Sequence, residues 1–227
     1  FEYIKYILKK GVSPNLIDFG NQSILYIAYR EDCTELVKYL IDNGADGGYD
    51  VNETDNSGYT ALMKASINGN IEILKYLIDH GSNINMITDS QYSALLLACE
   101  FNNFEIVKYL IDNHANIHNV TKYGLTGLMI SCKKGNFEIS NYLINHGAEV
   151  NYINIYGDTA LMYACQSNNA NIIKLLIDND AIINISNNYG CTAILYSSQY
   201  HDVEIVKYLV NHGGDINTIS TNGSTIL

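Results

Sequence analysis

Proline occurs once and tryptophan not at all in the 227 residues. A single Pro excludes collagen-like and proline-rich low-complexity architectures. Cationic side chains are scarce: 13 Lys and Arg stand against 24 Asp and Glu, a net charge of −11. A surface with that excess of carboxylate repels phosphate backbones and anionic headgroups. Neither nucleic acid nor a membrane surface is therefore an expected partner. No run approaches the roughly 20 consecutive apolar residues that span a bilayer. The opening stretch FEYIKYILKKG lacks the basic, apolar and small-residue order of a secretory signal. Five Cys are too sparse for a disulfide framework. The expected location is intracellular: the cytoplasm, or a host's cytoplasm for a viral or parasite-derived chain.

What is abundant is apolar. Such residues make up 47 % of the chain and charged ones 16 %, a folding rather than a disordered composition. Self-comparison exposes a period. A hydroxyl falls at Thr60, Ser93, Thr126, Thr159 and Thr192, and a Leu at Leu77, Leu110, Leu143, Leu176 and Leu209, each step being 33 residues. An earlier unit begins near Ser23, 37 residues before Thr60, so four residues are inserted, best placed at Gly47-Gly48-Tyr49-Asp50. The expected organisation is a single array over 1–227: a partial repeat 1–15, full repeats 19–52, 56–85, 89–118, 122–151, 155–184 and 188–217, and a partial repeat 221–227.

Each unit reads as two short helices. Thr60 and its counterparts are placed to cap the first. Asn70, Asn103, Asn136, Asn169 and Asp202 stand at the start of the second, followed by first-turn carboxylates such as Glu72 and Glu105 that favour the positive helix end. Gly81 ends the second helix in the left-handed region. The segment that follows carries turn residues and reads as a projecting turn or hairpin.

The 33-residue period, the Gly-x-Thr-x-Leu opening and the closing Gly-Ala-x-Ile/Val-Asn resemble the ankyrin repeat over the whole chain. The resemblance implies an all-α repeat solenoid, an ankyrin-repeat array of stacked helix-turn-helix units with β-hairpin or turn fingers. It differs from the family pattern in consistent ways. Thr-Pro-Leu-His becomes Thr-Ala-Leu-Met (Ala61, Met63; Ala160, Met162), which removes the Pro pre-organisation and a His hydrogen bond that a thioether is not expected to replace. His114 and Asp180 replace the terminating Gly, and Gln91 replaces a finger Gly. A left-handed non-Gly residue costs on the order of 1 kcal/mol.

A single unit cannot bury its apolar face, so neighbours stack columns such as Leu62, Leu95, Leu128, Leu161 and Ile194. That leaves an extended concave surface and no enclosed cavity, so no catalytic residue and no enzyme activity is expected. No cofactor is expected either: no phosphate-cradling Gly loop and no Gly-x-Ser-x-Gly turn occurs. Cys99, Cys132 and Cys165 also recur every 33 residues. Stacked helices lie roughly 8–10 Å apart, too far for a shared metal, so these thiols read as core filler. His80, His146 and His212 sit two repeats apart and cannot meet on one ion. No metal site is expected.

The resemblance implies a non-catalytic protein–protein interaction scaffold, its partner bound on the concave face. Family contact positions fall on the residue between Gly and Thr (Tyr59, Tyr92, Leu125, Asp158, Cys191), the finger residue before the Gly (Ser57, Tyr123, Tyr156, Tyr189) and the end of the first helix (Ile67-Asn68, Glu100-Phe101, Lys133-Lys134, Gln166-Ser167, Gln199-Tyr200). The candidate contacts are Tyr59, Tyr92, Phe101, Tyr123, Lys133, Lys134, Tyr156, Tyr189 and Tyr200. Tyr123, Tyr156 and Tyr189 form a ladder, one per finger. Two readings stay open for it: partner contact, and packing between fingers. Lys133-Lys134 is a basic pair with two readings: a seat for an acidic partner residue, and a solvated helix end. Repeats cut at both ends, with apolar Tyr3-Ile4 and Ile226-Leu227 uncapped, point to a monomeric array within a longer chain. In the alternative reading the array is the targeting or regulatory arm of a protein that carries another module: a ubiquitin-ligase adaptor, an enzyme or a channel.

Overall fold

The computed structural model describes residues 2–10, 24, 27–28, 33–44, 50–199 and 202–225. The chain divides into two compact units, Phe1–Ala115 and Asn116–Leu227. Each is built of helix pairs, and the fold class is the all-α repeat solenoid.

The first unit contains α1 (Glu2–Lys9), α2 (Thr34–Gly44), α3 (Ala61–Asn68), α4 (Ile71–Asp79), α5 (Ala94–Glu100) and α6 (Phe104–Asp112). First helices pack on first helices (α3 on α5), and second on second (α2 on α4, α4 on α6). The second unit contains α7 (Gly127–Lys133), α8 (Phe137–Asn145), α9 (Ala160–Gln166), α10 (Ala170–Asp178), α11 (Ala193–Ser198) and α12 (Val203–Asn211). There α9 packs on both α7 and α11, and α8 on α10. Helices this short are marginal alone; stacking supplies the apolar burial that holds them. Leu62 and Leu95 are buried in the first unit, and Leu128, Leu161 and Ile194 in the second.

Caps fix the helix starts. The hydroxyls of Thr60, Ser93, Thr126 and Thr159 accept the amide three residues on, at 3.1–3.3 Å. Thr192 departs from this pattern. Its hydroxyl makes no cap bond and lies instead 3.3 Å from the hydroxyl of Thr218. Met63 also corrects an expectation: its Sδ accepts from the Thr60 amide at 3.5 Å, so the thioether supplies a weak bond after all.

At α10 the starting Asn does two things. Asn169 accepts from the Ile172 amide through Oδ1 and donates through Nδ2 to Gly135 O, 3.0 Å away at the end of the preceding first helix. Asn103 makes only the second contact, to the carbonyls of Ser66 and Ile67 at 2.7 and 3.1 Å. Free carbonyls at one helix end are thereby satisfied by the next repeat.

His114, Asp180 and Gln91 adopt the left-handed backbone expected of them, with φ of 66°, 62° and 62°. Asn102 and Asn168 do so as well, at 60° and 51°. Cys99, Cys132 and Cys165 are free and buried. Burial pushes the Cys132 thiol pKa up to about 12, against smaller opposing effects from the Ser140 and Ser131 hydroxyls, which keeps it protonated and unreactive. His80, His146 and His212 each stack on a Tyr four residues earlier, at 4.1, 4.0 and 4.2 Å between ring centres. Each also places Nδ1 within 2.8 Å of that Tyr's carbonyl. The recurring His is thus a helix-end partner of the recurring second-helix Tyr.

Candidate partner-binding face

Finger geometry starts from one polar side chain per turn. In the first unit Asp55 Oδ1 accepts the amides of Ser57 and Tyr59, both at 2.9 Å. Its other oxygen lies 3.4 Å from Lys64 Nζ. That ammonium also stands 4.0 Å over the Tyr59 ring. Burial alone would raise the Asp55 pKa, but the two amides and the ammonium outweigh it and hold the carboxyl below its ordinary value. Tyr59 is half-buried with a cation on its face, Tyr92 is half-buried, and Phe101 is 51 % exposed at the end of α5.

In the second unit the turn residue is Thr121, Asn154 and then Asn187. Asn154 Oδ1 accepts from the Tyr156 and Asp158 amides at 2.9 Å, and Asn187 Oδ1 from those of Tyr189 and Cys191 at 3.0 Å. Neighbouring fingers are then stitched through the ladder's own backbone. The carbonyls of Tyr123, Tyr156 and Tyr189 accept the amides of Ile155, Asn188 and Thr221 at 3.4, 2.9 and 2.8 Å.

The side chains divide. Tyr123 and Tyr156 stack, 6.2 Å between centres and 25° between planes, with Lys122 Nζ 5.0 Å over the Tyr123 ring. They remain 42 % and 38 % exposed, and Tyr189 is 58 % exposed. Exposed Ile153, Ile155 and Ile219 lie on the same fingers. At the helix ends Lys133 and Lys134 are exposed, and Lys133 Nζ reaches 5.9 Å from the Tyr163 ring. Tyr200 and Gly47-Gly48-Tyr49 lie outside the described residues.

Sequence reasoning missed a polar chain at the base of these fingers. Asn154 donates to the Tyr163 hydroxyl at 3.0 Å, which donates to Asp158 Oδ2 at 3.2 Å. Asn187 donates to Asp158 Oδ1 at 2.7 Å and to the Tyr196 hydroxyl at 3.0 Å. Burial first, then the Asp158 charge, raises the pKa of both phenols, so both hydroxyls stay protonated at neutral pH. One signal was available: Asn and Tyr are nine residues apart in two successive repeats (154 and 163, 187 and 196), and in no earlier one.

The described residues hold no group of three metal-ligating side chains. No described helix is long and apolar enough to cross a membrane. What the face offers is exposed aromatic area on backbone-stitched fingers.

The model of ankyrin repeats (three copies) matches residues 1–88, 47–121, 95–187 and 128–220. None of the curated proteins compared with the chain matches it. The matches run through every helix pair described above, and the chain belongs to the ankyrin-repeat family.

Proposed function

We propose that this chain is a non-catalytic scaffold that binds a protein partner on its finger and first-helix face. Ankyrin repeats are in general protein–protein interaction modules, and the family is typically non-catalytic. The observation that carries the reading is the finger row of the second unit, where Tyr123, Tyr156 and Tyr189 keep much of their rings in solvent on backbone-bonded turns. Tyr joins large contact area to a polar tip, and a pre-ordered site loses little entropy on binding. Lys133, Lys134 and, by its repeat position, Tyr200 complete the candidate contacts of the second unit, and Tyr59, Tyr92 and Phe101 are those of the first unit, taken by itself. A Cys content of only five in 227 residues fits a reducing intracellular compartment.

The test is selection of a displayed random-peptide library on the full chain. Peptides that bind wild type should lose affinity by at least about ten-fold against the triple variant Tyr123→Ala, Tyr156→Ala, Tyr189→Ala. Unchanged affinity, with a large drop in melting temperature, assigns the ladder to packing alone and removes this reading.

A further inference from the structure

We propose that Asp158 seats a basic side chain, Arg or Lys flanked by apolar residues, of the partner that the finger face of the second unit binds. The inference rests on the face reading above and adds the partner's chemistry to it.

Asp158 stands between Gly157 and Thr159, in the polar chain at the base of the fingers, and is 9 % exposed. Both of its oxygens are oriented: Oδ1 by Asn187 Nδ2 at 2.7 Å and Oδ2 by the Tyr163 hydroxyl at 3.2 Å. Both donors are neutral. Among the described residues no Lys, Arg or His forms an ion pair with it. The contrast lies in the first unit, where the finger carboxylate Asp55 has Lys64 Nζ at 3.4 Å. A carboxylate withdrawn from water without a cation is costly unless a charge reaches it. Its neutral donors fix its direction and leave its charge unbalanced.

The surroundings suit a cation. Tyr163 reaches the carboxylate through its hydroxyl, and Asn187 links Asp158 to the Tyr196 hydroxyl, so two phenols border the seat, and aromatic rings attract ammonium and guanidinium groups. The chain's own Lys133 already uses the Tyr163 ring in this way, at 5.9 Å. Around the seat the fingers expose Ile155, Tyr156 and Tyr189, so residues flanking the basic group meet apolar and aromatic area. A net charge of −11 favours approach of a cationic segment.

The experiment uses the full chain and the same displayed peptide library, with wild type and Asp158→Asn panned in parallel. Wild type should enrich peptides with Arg or Lys at one fixed register among apolar residues. Replacing that Arg with neutral citrulline in a synthetic peptide should weaken binding to wild type about ten-fold, and to Asp158→Asn less than about two-fold, the signature of direct charge coupling. Should Asp158→Asn unfold at the assay temperature, Tyr163→Phe takes its place. It keeps the ring and the Asp158 charge, frees one carboxylate oxygen for the guanidinium, and should enlarge the citrulline effect; an unchanged effect counts against the seat.

Three results overturn the inference. Binders that need Tyr123 and Tyr156 but carry no fixed basic residue, or show the same citrulline effect on both proteins, remove the Asp158 seat and leave the face reading standing. Binders indifferent to those tyrosines remove the face reading itself. A selection that returns no binder removes both.

Discussion

Asn154 donates from Nδ2 to the hydroxyl of Tyr163, nine residues along the chain, at 3.0 Å, and Asn187 repeats the contact with Tyr196 at the same distance. The finger-turn residue and the first-helix residue nine later are thus matched in kind. Asp55 meets the ammonium of Lys64. Thr121 spends its hydroxyl on its own turn amides and stands nine before aliphatic Ile130. Where the turn residue keeps a polar group to spare, as at Asp55, Asn154 and Asn187, that group ties the finger to its helix. Replacing Tyr163 with Phe removes one hydroxyl, and with it a donor to Asp158 and an acceptor for Asn154. The loss should be about 1–3 kcal/mol of unfolding free energy, read from urea denaturation. A change within error would show that water satisfies both groups.

Ser82 points the other way. Its hydroxyl is buried and has no hydrogen-bond partner among the described residues. The equivalent residue in later repeats is Ala115, Ala148 and Ala181. Its backbone is already bonded, since the Ser82 amide donates to Leu77 O at 3.0 Å, so only the hydroxyl is out of place. Ser82→Ala should therefore stabilise the protein, by about 1 kcal/mol. Paired thermal melts decide it, and a lower midpoint for the alanine variant counts against the orphaned hydroxyl.

The helix pairs, their caps and the left-handed positions were legible because each depends on residues within about one helical turn. Thr60 caps an amide three residues away, and His114 takes φ of 66° because it stands where the repeat places Gly. The failures are competitions between local and distant partners. Thr192 carries the same capping signal, yet its hydroxyl turns to Thr218, 26 residues on. The Asp158 bond to Asn187 spans 29 residues and exists only once two fingers lie side by side. The stack of Tyr123 on Tyr156 has the same origin. Spacing put one Tyr on each finger, but ring contact is a property of how closely the fingers approach.

That approach is tightest at Gly157. A Cβ built there would lie 2.8 Å from Asn187 Cα and from Asn188 N, both backbone atoms that cannot swing aside. Gly147, at the end of α8, has the same left-handed backbone (φ 90° against 82°), but a Cβ there meets nothing within 4 Å. Gly147→Ala should cost only the conformational penalty, about 1 kcal/mol. Gly157→Ala should cost that plus overpacking, roughly 1–3 kcal/mol more, and should separate the fingers. Denaturation gives the energies, and amide exchange at Asn188, which donates to Tyr156 O at 2.9 Å, reports the separation. Equal costs at the two sites would contradict the close finger contact.

Acid should act on the first unit through Asp55. Although burial raises its pKa, the amides of Tyr59 and Ser57 and the Lys64 ammonium together bring it below the ordinary 3.8. The folded state therefore binds this proton more weakly than the unfolded chain. The resulting stability is fully present above the unfolded value, near 3.8, and is lost as pH falls through the lower folded value. Asn at position 55 keeps an oxygen for the two turn amides and has no charge to lose. Asp55→Asn should be less stable than wild type at neutral pH, with the gap narrowing below about pH 4. Urea midpoints across pH 2–7 measure it. A gap that stays constant over that range would place the stabilisation in the hydrogen bonds and not in the charge.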